Sequence, residues 1–488
     1  MDVPHDDELF IGSRWVAPHT TESADVVSPY TGTAVRSLPR PTVADAADAV
    51  AAADGAFDAW SARPFEERHA VLARFGTELD KRLDDINRVW AIEAGMPLRN
   101  GQELTSAASA LWNRALDESL RAPWVEVRHT SMGDVEVRHE AIGPTVGIVA
   151  FNGPHMQFAL AIIPALLAGN TMIIKLPPEN RLLGYLFADA ADQAGFPEGV
   201  LSILAGDADV SAYLVGHPDV AAVHFTGGSE VGTAVMRACA DRVATVVLEL
   251  GGKSAAIVAA DADLDHAVPA LVDSMALYSG QICVAMTRLL VAREIHDEVV
   301  TRLVDGLRGL RTGDPLDPAT SWGPLAGQRF RERAEGYIAR AVAAGATLAH
   351  GGGRPRGFAG FFLEPTLLTG VTNDMEVARN EIFGPVFCVL AFDTMDEAVA
   401  LANDSRYGLS GSIFTTDEAA GRDVARRVRS GVFVINATFP CLAAPFGGVK
   451  QSGFGREGGP EGLFALTQVR AITLDPAASG SKTTKGRS

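Results

Sequence analysis

Three side chains in this sequence have the chemistry of nucleophilic catalysis: a thiol, a carboxylate and an amide. Cys283 lies in the segment YSGQICVAMTR, Glu249 in VVLELGGK and Asn152 in AFNGPH. A thiolate is a strong nucleophile, a desolvated carboxylate can act as a general base, and an amide can donate to an oxyanion. Taken singly, each residue has a structural alternative: a buried inert cysteine, a backbone-bonded glutamate and a turn-forming asparagine.

The segment VHFTGGSEVGTAVM predicts a nucleotide-binding turn. An apolar strand ends at Phe225, Gly227 and Gly228 follow, and Ser229 can cap the next helix. Adjacent glycines let the backbone approach a ligand, and a helix N-terminus favours phosphate. An ordinary strand–turn–helix is the alternative. A GxGxxG pattern at 453–458 is not a cofactor loop, because only about 30 residues follow it and no βαβ unit fits there.

Two further segments could contact a nucleotide. TMIIKLPPEN places Lys175 at the end of a buried strand, where it can reach ribose hydroxyls or phosphate. The alternative is a lysine that snorkels at the rim of the protein. RNEIFGP presents Glu381 and Phe383 in a turn.

The elements that carry these residues alternate between strand and helix. The alternation runs from the strand TVGIVAF to the strand ATVVLELGG and restarts after Gly252. This pattern predicts an α/β fold with two doubly wound parallel sheets, which bind ligands at the carboxyl ends of their strands. Residues 124–139 alternate around Met-Gly-Asp and predict a hairpin, either an arm that pairs with another chain or a solvated surface hairpin.

Composition excludes several classes of function. The 488 residues carry a net charge of −18, which disfavours binding to nucleic acids and anionic membranes. The N-terminus does not resemble a signal peptide, and no uncharged apolar run reaches the roughly 18 residues of a membrane span. The four cysteines form no CxxC pair and the histidines no HxxxH pair, so no metal site is expected. So few cysteines favour a reducing compartment, and we expect a cytoplasmic protein.

Four segments, LELGGK, GQICV, EIFGPV and PFGGVKQSGFGRE, occur in the order and at the spacing of the aldehyde dehydrogenase superfamily. The chain resembles that superfamily over nearly its whole length. The resemblance implies NAD(P)-dependent oxidation of an aldehyde to the carboxylic acid through a cysteine thiohemiacetal and a thioester. Because CoA-acylating relatives typically lack the glutamate at position 249, it also implies the hydrolytic branch.

The resemblance assigns a role to each matched position. Cys283 matches the nucleophile, Glu249 the general base, Asn152 the oxyanion-hole amide, and Glu457 a glutamate implicated in proton relay. The positions implied to bind the cofactor are Lys175, Pro178, Glu179, Gly227, Gly228, Ser229, Gly251, Glu381 and Phe383. The positions implied to line the substrate tunnel are Phe151, Gln157, Leu160, Ile282, Val284, Phe439, Cys441 and Phe446.

Two features bear on specificity. Many NAD-specific relatives carry a glutamate three residues after the lysine, where this chain has Pro178 followed by Glu179. Proline neither holds a ribose 2′-hydroxyl nor repels a 2′-phosphate, so NAD and NADP both stay open, with NAD favoured. The segments FNGPHMQFAL and ATFPCLAAPF contain no lysine or arginine that could hold a second carboxylate. We therefore expect an apolar aliphatic, terpenoid or aromatic aldehyde.

The resemblance also implies a domain plan. Residues 1–118 and 141–251 would form a Rossmann-like cofactor domain, 252–451 the catalytic domain, and 119–140 with 467–477 an oligomerisation arm, with a disordered tail at 478–488. In relatives the arm joins a neighbouring subunit's sheet, so a homodimer or homotetramer is expected. Two other classes stay open: a thiol hydrolase or acyltransferase that uses no nicotinamide, and a binding protein that has lost its chemistry.

Overall fold

The structure is a computed structural model that describes residues 4–474. In this part of the chain, strands alternate with helices as the sequence pattern predicts. The strands are β1 (Leu9–Ile11), β2 (Arg14–Val16), β3 (Ser23–Val27), β4 (Ala34–Pro39), β5 (Val125–Thr130), β6 (Gly133–Ala141), β7 (Thr145–Ile148), β8 (Met172–Leu176), β9 (Leu201–Ala205), β10 (Ala222–Thr226), β11 (Thr245–Glu249), β12 (Ala255–Val258), β13 (Arg288–Ala292), β14 (Thr347–His350), β15 (Thr366–Thr369), β16 (Val386–Phe392), β17 (Gly411–Phe414), β18 (Val434–Ile435), β19 (Gly453–Phe454) and β20 (Thr467–Thr473).

The α-helices connect these strands and cover the sheets. They are α1 (Val43–Ser61), α2 (Phe65–Asp80), α3 (Leu83–Ala94), α4 (Leu98–Ser119), α5 (Pro154–Gln157), α6 (Ile163–Ala168), α7 (Arg181–Ala194), α8 (Ala208–Gly216), α9 (Ser229–Ala240), α10 (Leu264–Ala276), α11 (His296–Arg308), α12 (Gln328–Ala343), α13 (Glu376–Arg379), α14 (Met395–Asn403), α15 (Glu418–Arg427) and α16 (Gly459–Leu463). Thr42 caps α1 and forms a capping box with Asp45. Among residues 4–474, no helix has both the length and the apolar character needed to cross a bilayer.

The first sheet has eight strands in the order β19–β11–β10–β7–β8–β9–β1–β2. Its five central strands are parallel, with α2, α6 and α7 packed on one face and α1, α8 and α9 on the other. Antiparallel strands extend the sheet at both edges, where β19 pairs with β11, β1 with β9, and β2 with β1. These edges come from distant parts of the chain, and local periodicity carries no information about such pairings.

The second sheet has seven strands in the order β14–β15–β16–β13–β12–β17–β18. All its pairings are parallel except that between β14 and β15. The predicted α/β class with two doubly wound sheets is therefore confirmed, with antiparallel strands added at the edges. The exact domain limits stay a prediction.

A third sheet joins the predicted hairpin to the C-terminal strand. β6 pairs antiparallel with both β5 and β20, in the order β20–β6–β5. Residues 475–477 of the predicted arm and the predicted tail at 478–488 lie outside the described residues. The GxGxxG glycines begin in β19, an edge strand beside β11.

Candidate active site

The carboxyl ends of three parallel neighbours meet at one cavity of about 320 Å³. Asn152 follows β7, Gly227 and Gly228 follow β10, and Glu249 is the last residue of β11. Because these strands are hydrogen-bonded neighbours in parallel register, their ends lie side by side. Cys283 reaches the same cavity from the segment between α10 and β13.

A strained turn positions Cys283. Tyr278 and Ser279 both have left-handed backbone conformations, with φ values of 47° and 52°, and the glycine after them continues the turn. Ser279 Oγ donates to the carbonyl of Gly323 at 2.8 Å, and the Gln281 Nε2 amide donates to the Tyr278 carbonyl at 3.1 Å. Bulky residues rarely adopt this conformation, and such strain concentrates at functional sites.

The surroundings of Cys283 favour the neutral thiol. Burial is the largest cause of a raised thiol pKa, and the carboxylates of Glu381, Glu249 and Glu457 raise it further. The residue keeps partial exposure toward the open cavity, where solvent weakens these effects without reversing them. In the protein alone, a base must therefore remove the thiol proton before the sulfur attacks.

Glu249 has the environment of such a base. Only 4% of the residue is exposed, and neither carboxylate oxygen has a hydrogen-bond partner among the described residues. Burial raises its pKa well above the usual range, the Glu457 carboxylate raises it further, and Arg456 opposes the shift. Gly447 allows this close packing, because a Cβ there would lie 2.6 Å from Glu249 Oε1.

Asn152 lies on the loop that follows β7 and lines the same cavity. The loop is held by Gln157, whose Oε1 accepts from the Ala150 N–H at 2.7 Å and whose Nε2 donates to the Ala150 carbonyl at 3.2 Å. Within the described chain, the Asn152 side-chain amide makes no hydrogen bond of its own. Its donor is thus available to a group in the cavity, whereas the Gln157 amide is already engaged.

The predicted cofactor residues divide into two sets. Gly227, Gly228, Gly251, Glu381 and Phe383 line the cavity. Glu381 Oε1 accepts from the N–H of Gly252 at 3.0 Å, and a Cβ on Gly251 would lie 1.9 Å from Glu381 Oε2, so only glycine fits there.

The remaining predicted cofactor residues lie outside the cavity lining. Lys175 is buried at the end of β8, where burial lowers its pKa to about 8 and the carboxylates of Glu179 and Asp207 oppose the shift. Pro178 and Glu179 follow in a short turn, and Glu179 forms an ion pair with Arg329 of α12.

The prediction that Ser229 caps the helix after β10 is wrong. Ser229 is the first residue of α9 rather than its cap, and its Oγ donates to the carbonyl of Gln451 at 2.8 Å. The capping position falls on Gly228, so no side chain covers the N–H groups of the first turn.

Comparisons with known proteins agree with this geometry. The sequence model of the Aldehyde dehydrogenase family matches residues 15–472. The chain belongs to the aldehyde dehydrogenase family. The predicted family is thereby confirmed, and with it an oxidoreductase that acts on aldehydes.

Several relatives match the aldehyde dehydrogenase along its whole length. Geranial dehydrogenase of Castellaniella defragrans is 38% identical over 480 residues, which cover 97% of this chain and 100% of the relative. Betaine aldehyde dehydrogenase of Brucella anthropi is 37% identical and covers 96% of each chain. The crystal structure of Mycobacterium tuberculosis aldehyde dehydrogenase complexed with NAD+ is 40% identical, with a TM-score of 0.92 over 96% of this chain and 98% of that one.

Most of the predicted tunnel positions of this aldehyde dehydrogenase line the cavity. Those that do are Phe151, Gln157, Leu160, Ile282, Val284, Phe439 and Phe446, together with the predicted relay residue Glu457. Cys441 does not: its side chain is exposed, and its neighbour Leu442 faces the cavity instead. The difference is one position in an irregular loop, where no periodicity predicts which residue points inward.

Other residues of the cavity were not identified from the sequence. Among them are Trp90, Leu104, Thr105, His155, Met156, Arg329, Phe330, Arg333 and Leu442. His155 and Met156 lie within AFNGPHM, so that motif could have identified them. The others come from α3, α4, α12 and a surface loop, and no local motif distinguishes them.

Arg329 and Arg333 line the cavity, although the two segments considered in the sequence contain no lysine or arginine. Both guanidinium groups are already engaged: Arg329 with the Glu179 carboxylate, and Arg333 with the Glu381 carbonyl at 2.6 Å. Their partners are residues predicted to hold the cofactor. His155, by contrast, is 2% exposed, and burial lowers its pKa to about 4, so it adds a polar but uncharged group to the lining.

Proposed function

We propose that this chain oxidises an aldehyde to its carboxylic acid with NAD(P)+, using Cys283 as nucleophile, Glu249 as general base and Asn152 as oxyanion donor. The observation that carries the proposal is the convergence of these three side chains on one cavity. A thiol without another group to accept its proton would be inert here, because its surroundings raise its pKa. A buried carboxylate with unpaired oxygens in the same cavity supplies the base.

The residues present fit a nicotinamide dinucleotide. The uncapped N-terminus of α9 can receive a phosphate, and a Cβ on Gly228 would meet no atom within 4 Å, so there is room for a ligand. Lys175 and Glu179 would hold the adenosine ribose, and Glu381 the nicotinamide ribose. When bound, the nicotinamide supplies the hydride acceptor. NAD is favoured over NADP because Glu179 would bring a carboxylate to the adenosine ribose, and the M. tuberculosis relative was solved with NAD+.

The residues of the chain would act in two stages. In the first, Glu249 accepts the thiol proton, Cys283 Sγ bonds to the aldehyde carbon, and the Asn152 amide with the Cys283 backbone N–H holds the oxyanion. Loss of hydride leaves an acyl thioester on Cys283. In the second, Glu249, after passing the first proton to solvent, takes a proton from water as the water oxygen attacks the acyl carbon, and the thiolate leaves.

The cavity favours an apolar aldehyde. Aromatic and aliphatic side chains form most of its lining, among them Phe151, Leu160, Phe330, Leu442 and Phe446. The whole-length relatives include a geranial dehydrogenase, whose named substrate is an apolar terpenoid. An aliphatic, terpenoid or aromatic aldehyde would bury its apolar surface here, whereas a second carboxylate would be desolvated among these side chains.

A kinetic matrix tests this proposal. We expect kcat/KM for octanal, geranial or benzaldehyde to exceed that for succinate semialdehyde by at least about tenfold, since three or more buried methylenes outweigh that factor. The readout is absorbance at 340 nm with NAD+ and with NADP+. A preference for succinate semialdehyde would refute the apolar substrate, and p-nitrophenyl ester turnover without any 340 nm signal would favour a non-redox hydrolase.

Two adjacent residues provide a matched control for that matrix. Leu442→Ala removes apolar contact from the cavity and should lower kcat/KM for octanal about tenfold. Cys441→Ala changes the exposed neighbour and should leave the value unchanged. Equal effects of the two variants would mean that the substrate does not occupy this part of the cavity.

We propose self-association through the sheet of β20, β6 and β5. Its outer strands expose Val125, Val127 and Val469 to solvent, at 46%, 46% and 63% of their surface. Apolar side chains on an unpaired edge suit pairing with another sheet. Light scattering should therefore give the molar mass of a homodimer or homotetramer. Val127→Lys should lower the measured mass toward that of the monomer. Val342→Lys, on α12 and equally exposed, is the control, and a monomeric wild type would contradict the proposal.

The cysteines are consistent with a cytoplasmic location, which we also propose. All four are free. A thiol that must stay reduced for catalysis is best kept in a reducing compartment.

A further inference from the structure

One buried titratable residue in the first sheet has no role in the mechanism above. His224 lies in the middle of β10 and is 1% exposed. Its ring Nε2 lies 2.6 Å from Oε1 of Glu457, which is 4% exposed and lines the catalytic cavity on its other side. The histidine therefore contacts the active site only through the Glu457 carboxylate, which lies between the imidazole and the cavity.

Within the described residues, His224 has few possible acid–base partners other than Glu457. The contact is close enough for an ion pair but is not aligned as a hydrogen bond, and His224 Nδ1 has no partner. The sheet neighbours opposite His224 are Gly147 on β7 and Val247 on β11, neither of which is titratable. Glu457 is therefore the group with which the imidazole can exchange a proton.

Glu457 also couples electrostatically to the catalytic base. Its carboxylate raises the pKa of Glu249, and it is one of the charges that raise the pKa of Cys283. Arg456 is the cation that faces Glu249, and its guanidinium is held by the backbone carbonyls of Gly448 and Gly455. Glu457 is thus the carboxylate that connects His224 with the catalytic base.

We propose that Glu457 and His224 accept in turn the proton that Glu249 takes from the hydrolytic water, so that His224 stores it until the acid product leaves. The water O–H bond breaks as its oxygen bonds to the acyl carbon and the C–S bond breaks to release the Cys283 thiolate. The proton bonds to Glu249, then to Glu457, and finally to Nε2, which leaves both carboxylates ionised and an imidazolium beside Glu457. His224 is a positioning residue in this scheme, since it acts only through Glu457.

The inference rests on the proposed function. The test therefore measures hydrolysis of the thioester separately from the redox step. With p-nitrophenyl acetate and no cofactor, a burst of p-nitrophenol reports acylation of Cys283, and the steady rate reports hydrolysis of the thioester. We expect His224→Gln to keep the burst and to lower the steady rate about tenfold, less than the roughly 10²–10⁴ for loss of a general base, because Glu249 remains. The pH dependence should change as well, because a protonated imidazole cannot accept another proton while glutamine never accepts one.

Three variants complete the experiment. Glu457→Gln should lower the steady rate as much as His224→Gln, and the double variant should lower it no further, because the two act as one unit. His69→Gln, on α2 and remote from the cavity, is the matched control and should match wild type. The burst amplitude counts folded active sites, so a misfolded variant is recognised.

Each outcome separates the two proposals. A His224→Gln rate and pH profile equal to wild type would overturn the role of His224, and so would a double variant slower than either single one. Should His224 variants not fold, an unchanged Glu457→Gln rate overturns the proposal and a reduced one supports it. A wild type with neither a burst nor NADH formation from aldehydes would instead refute the proposed function itself.

Discussion

Replacing Cys283 with alanine is expected to lower kcat for aldehyde oxidation by at least about a thousandfold. Without the sulfur no thiohemiacetal or thioester can form, and no other thiol can substitute. Cys239 and Cys388 are buried away from the cavity, and Cys441 is exposed outside it. The measurement is NADH formation at 340 nm with a saturating apolar aldehyde.

Two further measurements distinguish a loss of the chemical step from a loss of folding or of cofactor binding. NAD+ should still raise the melting temperature of Cys283→Ala, because the residues predicted to bind the cofactor are untouched. Cys441→Ala should keep wild-type kcat, which controls for the loss of a thiol as such. Residual turnover of Cys283→Ala above about a thousandth of wild type would contradict a covalent mechanism.

Replacing Glu249 with glutamine is expected to slow both stages of the reaction. The Cys283 thiol loses the group that accepts its proton and the hydrolytic water loses its activation, so steady turnover should fall by about 10²–10⁴. Rapid mixing should then show slow NADH formation without the fast first turnover of wild type. Glu198→Gln, at an exposed ion pair with Arg14, is the matched control and should behave as wild type.

The pH dependence of wild type should report the same carboxylate. Burial and Glu457 raise the pKa of Glu249, so its base form is present above that raised value and is lost as the pH falls through it. Thioester hydrolysis should therefore slow toward acidic pH, earlier than an exposed glutamate would allow. A Glu249→Gln variant with wild-type turnover would show that another group serves as the base.

Local pattern was sufficient to identify the strand ends that carry the chemistry. Lys175, Glu249 and Asn152 each lie at or just after an apolar run, and the register of such a run follows from its own residues. The hairpin and the Thr42 cap are local in the same sense. The antiparallel edges of the first sheet were missed, because β1 pairs with β9 and β19 with β11 across long stretches of chain.

The sequence by itself determined the family, the α/β class and the residue types available for catalysis, because motifs and periodicity are properties of short segments. Only the tertiary structure decided which side chains share the cavity. It brought in Trp90 and Leu104, put Leu442 there in place of Cys441, and placed His224 behind Glu457. These outcomes depend on packing between segments far apart in the chain, and burial and charge at the site arise only from that packing.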